Sequence, residues 1–160
     1  MRSLACLILA LTLAACNGNS GTAQQPRLDQ FRGQWVVVNY WAQWCKPCIK
    51  EIPELNTLDR QFPAVTVLGV NYDGAQGEEL QQQLDKLGVA FATLPADPAD
   101  EIGIARPVVL PTTVILDPAG KLSATLVGPQ TLASLAQATG QPYTDSMHPD
   151  ATSTPDRTTQ

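Results

Sequence analysis

The sequence predicts an α/β layered domain, and three observations carry that reading. Apolar β-branched runs alternate with segments whose apolar residues recur at helical spacing. A Cys-x-x-C pair, Cys45 and Cys48, falls where the first such run hands over to the first helical segment. Toward the end, two short strand-like runs flank Asp117-Pro118-Ala119-Gly120, a strong turn signal. Helices flanking a mixed central sheet are the expected architecture.

Taken in order, Trp35 to Trp41 (Trp-Val-Val-Val-Asn-Tyr-Trp) reads as a buried strand. Ile49, Ile52, Leu55, Leu58 and Phe62 then recur at helical spacing, which predicts a helix from Cys45 to about Phe62. Pro53 falls inside it and is expected to kink it. Val65 to Asn71 is a second apolar strand, and Glu78 to Leu87 a helix closed by Gly88. Val89 to Leu94 is read as a short strand and Pro98 to Ala105 as a short helix. Thr112 to Leu116 and Leu122 to Val127 are the strands about the turn, and Thr131 to Thr139 is a last helix ending at Gly140. From 141 to 160 apolar residues are scarce among Pro, Thr, Ser, Asp and Gln, so a disordered tail is expected.

The first fifteen residues differ from the rest. Arg2 precedes an apolar run from Leu4 to Leu13, too short to span a bilayer but right for the core of a signal peptide. Leu13-Ala14-Ala15-Cys16 follows, and this stretch resembles a bacterial lipoprotein signal. The resemblance implies cleavage before Cys16, lipid on its sulfur, and attachment of the chain to a membrane facing the periplasm. Asn17, rather than Asp, next to that cysteine leans the expectation toward the outer membrane. Residues 16–27 then form a tether rich in Asn, Gly, Ser and Gln, reaching roughly 18 Å r.m.s. as a flexible coil. The folded domain is expected over 28–140.

Net charge is −5, and no cluster of Lys and Arg appears, which argues against nucleic acid as a partner. Of four cysteines, Cys6 leaves with the signal and Cys16 is committed to lipid, so Cys45 and Cys48 are the thiols left. A single close pair builds no disulfide framework; it serves chemistry or a metal.

Chemistry is favoured by placement. Residues i and i+3 share a helical face, so the two sulfurs can approach within bonding distance. At a helix N-terminus the free N–H groups and the dipole favour an anion, so Cys45 is expected to be exposed with a lowered thiol pKa. Lys46 adds positive charge beside it, and Pro47 in the first turn has no N–H to leave unpaired. Cys48, a turn inside, suits a resolving role. Zinc would need about four ligands, and the only histidine, His148, lies in the tail. No metal and no cofactor are expected.

Val36 to Cys48 together with Glu51-Ile52-Pro53, and Leu110-Pro111-Thr112-Thr113 further on, resemble thioredoxin-like proteins. The nearest likeness is to the extracytoplasmic, membrane-attached TlpA/ResA branch. The resemblance implies a thioredoxin fold carrying a TlpA-type strand–helix insertion, which the long interval between Cys45 and Pro111 has room for. It also implies a cis peptide before Pro111, bringing the Leu110 backbone against the sulfurs to pair with an extended substrate segment. Trp44 is read as part of the docking surface, with Lys46, Pro47 and Leu110, and Trp41 as core. Thioredoxin keeps a buried carboxylate where this chain has Asn39, which cannot titrate. Asp73, in the loop after the next strand, or solvent is therefore the candidate proton acceptor for Cys48, and Glu51 reads as a solvated helix charge.

The function implied is thiol–disulfide exchange, as a reductase, on disulfide-bearing exported proteins. The partner supplying electrons would be a thiol-type donor in the membrane, and cytochrome c maturation is one possible setting. Two alternatives stay open at this point: a protein presenting two thiolates to a soft ion such as Cu(I), and a non-catalytic interaction domain with a structural disulfide.

Overall fold

The structure is a computed structural model and describes residues 26–147. The signal segment, Cys16, residues 17–25 of the tether, and His148 with the rest of the tail lie outside the described residues. A 3-10 turn over Leu28–Phe31 opens the domain. The regular elements are β1 (Trp35–Trp41), α1 (Lys46–Gln61), β2 (Val65–Asn71), α2 (Gly77–Leu87), β3 (Ala92–Thr93), α3 (Ala99–Ile102), β4 (Thr112–Leu116), β5 (Leu122–Val127) and α4 (Leu132–Ala138). The sheet order is β3-β2-β1-β4-β5. β1 sits in the middle, parallel to β2 and antiparallel to β4. This is the mixed sheet flanked by helices that the sequence predicts, with a thioredoxin-like fold.

Both faces of β1 are buried, which explains its unbroken apolar run. Strand alternation sends Val37 toward α1 and α4, where Leu55, Leu58, Phe62, Val67, Leu132 and Leu135 form one core. Val36, Val38 and Tyr40 point the other way, into a second core with Leu68, Val70 and Val114. Asn39 and Trp41 share the parity of Val37, so the strand carries a polar residue and an indole toward the helix bearing the cysteines. That alternation positions the site.

The segment between β2 and Pro111 holds α2, β3 and α3, and β3 extends the sheet beside β2. It supplies the additional strand and helix expected there. The strand is shorter than the predicted Val89 to Leu94. Only Leu68↔Ala92 and Gly69↔Thr93 are paired, the Leu94 N–H still bonds the Gly69 carbonyl at 2.8 Å, and Pro95 then has no N–H to continue the ladder. The following helix is also shorter, because Gly103 turns left-handed (φ 78°) and caps it. A polar network ties this segment down. Tyr40 Oη donates to Asp97 Oδ1 at 2.8 Å, and Arg106 Nε donates to Asp97 Oδ2 at 2.7 Å. The Arg106 guanidinium also donates to the Tyr72 carbonyl at 2.6 Å and lies 4.0 Å from the Tyr72 ring centroid. Burial, reinforced by Asp97, pushes the Tyr40 phenol far above its ordinary range.

α1 runs through Pro53 as one helix of 16 residues. Residues 141–147, expected to belong to a disordered tail, pack on the domain. Tyr143 and Met147 are partly buried against the first core, and a 3-10 turn forms over Asp145–Met147. Two apolar side chains in an otherwise polar stretch are enough to dock it.

Candidate active site

Cys45 is the N-cap residue of α1, in extended conformation, and its Sγ accepts from the Cys48 backbone N–H at 3.2 Å. Sulfur thus occupies the place where helix N-termini take an oxygen or an anion. Pro47 in the first turn lacks the N–H that would otherwise stand unpaired. Cys45 and Cys48 are joined as a disulfide, with Cα atoms 5.3 Å apart. Cys48 is buried as expected, but Cys45 is buried too, at 4% exposure, not exposed. The reason is its surroundings: the pair packs with Trp41 and Ala42, and Leu110, Tyr72 and the α2 leucines Leu80, Leu84 and Leu87 lie against that cluster.

The Leu110–Pro111 peptide is cis, and Leu110 packs against the sulfur cluster. Trp44 stands 61% exposed beside Cys45, and Val108 and Val109 are exposed just before Leu110. Lys46 and Pro47 are exposed on the first turn of the helix. The disulfide thus has exposed Trp44 and Lys46 as its immediate chain neighbours, with Leu110 packed against the cluster.

Asp73 is exposed, and its Oδ2 accepts from Trp44 Nε1 at 2.9 Å. It holds the indole across the mouth of the site. Glu51 is the surprise. Predicted to be a solvated helix charge, it is 1% exposed. Its Oε1 accepts from Asn39 Nδ2 at 2.7 Å and its Oε2 from the Gln130 backbone N–H at 2.9 Å. Burial raises its pKa to about 7, while the Gln130 and Asn39 hydrogen bonds pull the other way. It sits one turn beyond Cys48, and residues three apart on a helix are neighbours.

The sequence held a signal for this carboxyl. The buried stripe of α1 is Cys48, Ile52, Leu55 and Leu58, and position 51 falls within it, on the side facing the sheet. The lone polar residue in a fully apolar strand, Asn39, is its complement. Each is costly alone; together the Asn39 NH2 and Glu51 Oε1 satisfy one another.

Residues 10–125 match the family described as AhpC/TSA. The matched stretch contains both cysteines and Pro111. The chain belongs to the AhpC/TSA family. Among curated relatives, it is 32% identical over 117 residues to the thiol-disulfide oxidoreductase ResA of Geobacillus thermodenitrificans, covering 71% of this chain. It is 33% identical over 104 residues to the thiol:disulfide interchange protein HelX of Rhodobacter capsulatus, covering 64% of this chain. The chain spans 66% and 57% of those two relatives' own lengths. Among solved structures, it resembles a secreted thiol-disulfide isomerase from Corynebacterium glutamicum at 27% identity and a TM-score of 0.58, over 70% of this chain and 72% of that one. As an AhpC/TSA family member with these relatives, the chain has the TlpA/ResA-like character that its motifs suggest. Among the described residues no three His, Cys, Asp or Glu side chains converge as a metal site.

Proposed function

We propose that this chain is a thiol–disulfide oxidoreductase that reduces disulfides of exported proteins, with Cys45 as nucleophile and Cys48 as resolving thiol. The observation that carries the reading is one constellation. A Cys45–Cys48 pair caps α1, the cis Leu110–Pro111 peptide lies beside it, and the buried Glu51 carboxyl stands one turn behind.

In the reduced protein, the helix N-terminus and Lys46 favour the Cys45 thiolate. It attacks one sulfur of a partner's disulfide, forming a mixed disulfide and releasing the partner's other sulfur as thiolate. Cys48 then gives its proton to Glu51, and its thiolate attacks Cys45 Sγ. The Cys45–Cys48 bond forms, the mixed bond breaks, and the partner leaves with two sulfurs that take up two protons. Two electrons have passed to the partner, and the oxidised pair described above remains. A carboxyl held near pH 7 is poised to accept from a buried thiol and to return the proton. Asp73, engaged with Trp44 at the surface, is better placed to shape the mouth than to serve the resolving thiol.

Trp44 offers apolar surface next to Cys45, and the Leu110 backbone, beside the cysteine cluster, suits an extended segment of an exported substrate. Membrane attachment through Cys16, a thiol-type membrane donor that restores the dithiol, and a role in cytochrome c maturation are parts of the same reading. They rest on the Leu13-Ala14-Ala15-Cys16 stretch and the motif likeness. The C. glutamicum neighbour's description as secreted supports a location outside the cytoplasm, and no helix among the described residues is long and apolar enough to cross a membrane.

Equilibrating the protein with glutathione buffers of graded potential tests the reading. A redox-active pair titrates within the range of catalytic dithiols, above about −300 mV, whereas a structural bond stays oxidised below it. A potential below that limit would favour the non-catalytic interaction domain instead.

A further inference from the structure

The two oxygens of Glu51 have unlike neighbours. Oε2 meets the Gln130 backbone N–H at 2.9 Å, a group that donates and cannot accept. Oε1 meets Asn39 Nδ2 at 2.7 Å, and the same NH2 group donates its other hydrogen to Thr113 Oγ1 at 3.0 Å. Asn39 is fully buried, and its Oδ1 has no partner among the described residues. Thr113 stands two residues after Pro111, opposite Asn39 in the β1–β4 register.

A side-chain amide has nearly the same shape when its oxygen and nitrogen change places. Turned by half a rotation, Asn39 would set Oδ1 between Glu51 and Thr113. There it can accept from a protonated Glu51 and from the Thr113 hydroxyl, which donates as readily as it accepts. One pole of the amide is satisfied and the other unpaired in both orientations, so the turn sacrifices no hydrogen bond. A proton on Oε2 would face the Gln130 N–H, donor against donor; on Oε1 it faces an amide that can adapt.

We propose that Asn39 is a positioning residue whose side-chain amide turns over as Glu51 gains or loses a proton, confining that proton to Oε1. Its use in exchange rests on Glu51 being the acceptor for Cys48, as proposed above; the turning itself does not. The groups packed on Glu51 fit this reading. β1 offers Asn39, which also bonds Thr113 of β4, the loop before α4 offers the Gln130 N–H, and α1 itself places Cys48 a turn earlier. Glu54, on the next stretch of α1, accepts from the Leu132 backbone N–H at 2.8 Å. An Asp in place of Asn39 would put a second acid against Oε1, and the two would share one proton. A Leu would offer neither donor nor acceptor.

The test is a pH titration of the isotope-labelled, oxidised chain by NMR, following Glu51 13Cδ and the Asn39 side-chain NH2. The expected result is one common midpoint for both signals. Contacts from the Asn39 NH2 hydrogens to Thr113 should be present above that midpoint and lost below it. In Asn39→Leu the Glu51 midpoint should move up by about one pH unit, a tenfold change in proton affinity. In Asn39→Asp the single step should become two. An Asn39 amide that keeps its contacts and shifts unchanged across the Glu51 titration would overturn the proposal, as would an unmoved midpoint in Asn39→Leu. The wild-type titration decides alone should Asn39→Leu fail to fold. Should Glu51→Gln exchange disulfides at the wild-type rate while the amide turns in the wild-type titration, the acceptor role of Glu51 falls and this inference stands.

Discussion

At the scale of single residues, Glu51 is the member of the site that the sequence concealed. Its charge on a helix suggested a solvated side chain, yet the helical register puts position 51 against Asn39 of β1. The α1 stripe and the lone polar residue of β1 mark the two positions as buried, but their pairing depends on how α1 lies over the sheet. The consequence for exchange is direct. Replacing Glu51 by Gln removes the acceptor for the Cys48 proton, and resolution should slow by about 10²-fold, the low end for a general base. Its rate against pH should lack the inflection near 7 that the raised Glu51 carboxyl predicts for wild type. Stopped-flow measurement of single-turnover exchange with an insulin-like substrate reads both quantities. Asp73→Asn, by contrast, should leave that inflection in place and act on substrate affinity through Trp44.

Individual elements were legible to different degrees for physical reasons. β1, β2 and β4 match their expected bounds because buried β-branched runs between turn residues leave few other conformations. β5, largely exposed, matches because the Asp117-Pro118-Ala119-Gly120 turn returns it along β4. The CxxC at a strand–helix junction also survives intact as the cap of α1. β3 and α3 are shorter than expected, since Pro95 and Gly103 stop them and their contacts are tertiary. The burial of Cys45 was illegible because Leu110 and Tyr72 arrive from distant segments. β2 carries a further constraint at Gly69, where a Cβ would stand 2.8 Å from Trp41 Nε1 and 3.1 Å from Phe91 and Thr93 side chains. Trp41 packs with both cysteines and cannot easily retreat. Gly69→Ala should therefore destabilise the fold by about 1–3 kcal/mol through overpacking. Urea unfolding should show a lower midpoint with an unchanged slope.

For the whole molecule, Glu51 links the site to stability. Its carboxyl has an ordinary pKa of 4.5 when unfolded and about 7 in the fold, so the native state binds more protons between those values. Stability must then fall as pH rises from 4.5 toward 7, and the full penalty persists above. Glu51→Gln lacks this dependence. Relative to wild type it should gain up to a few kcal/mol between pH 4.5 and 8, at about 1.4 kcal/mol per tenfold change in proton affinity. Thermal or denaturant unfolding at several pH values would show the two curves diverging over that interval; parallel curves would contradict the buried, raised carboxyl. Anchoring belongs to this scale too. Cys16→Ala should lose lipid mass and membrane partition while its Cys45–Cys48 pair still exchanges, measured by mass spectrometry and fractionation.

The central claim is that Cys45 attacks and Cys48 resolves. Cys45 caps α1, a position that favours an anion, and Cys48 lies a turn inside, three residues before Glu51. Each single-serine variant can be incubated with a disulfide-bearing exported protein and resolved on non-reducing gels. Cys48→Ser should accumulate a mixed disulfide through Cys45, and Cys45→Ser should trap nothing. A mixed disulfide formed by Cys45→Ser but not by Cys48→Ser would contradict the account.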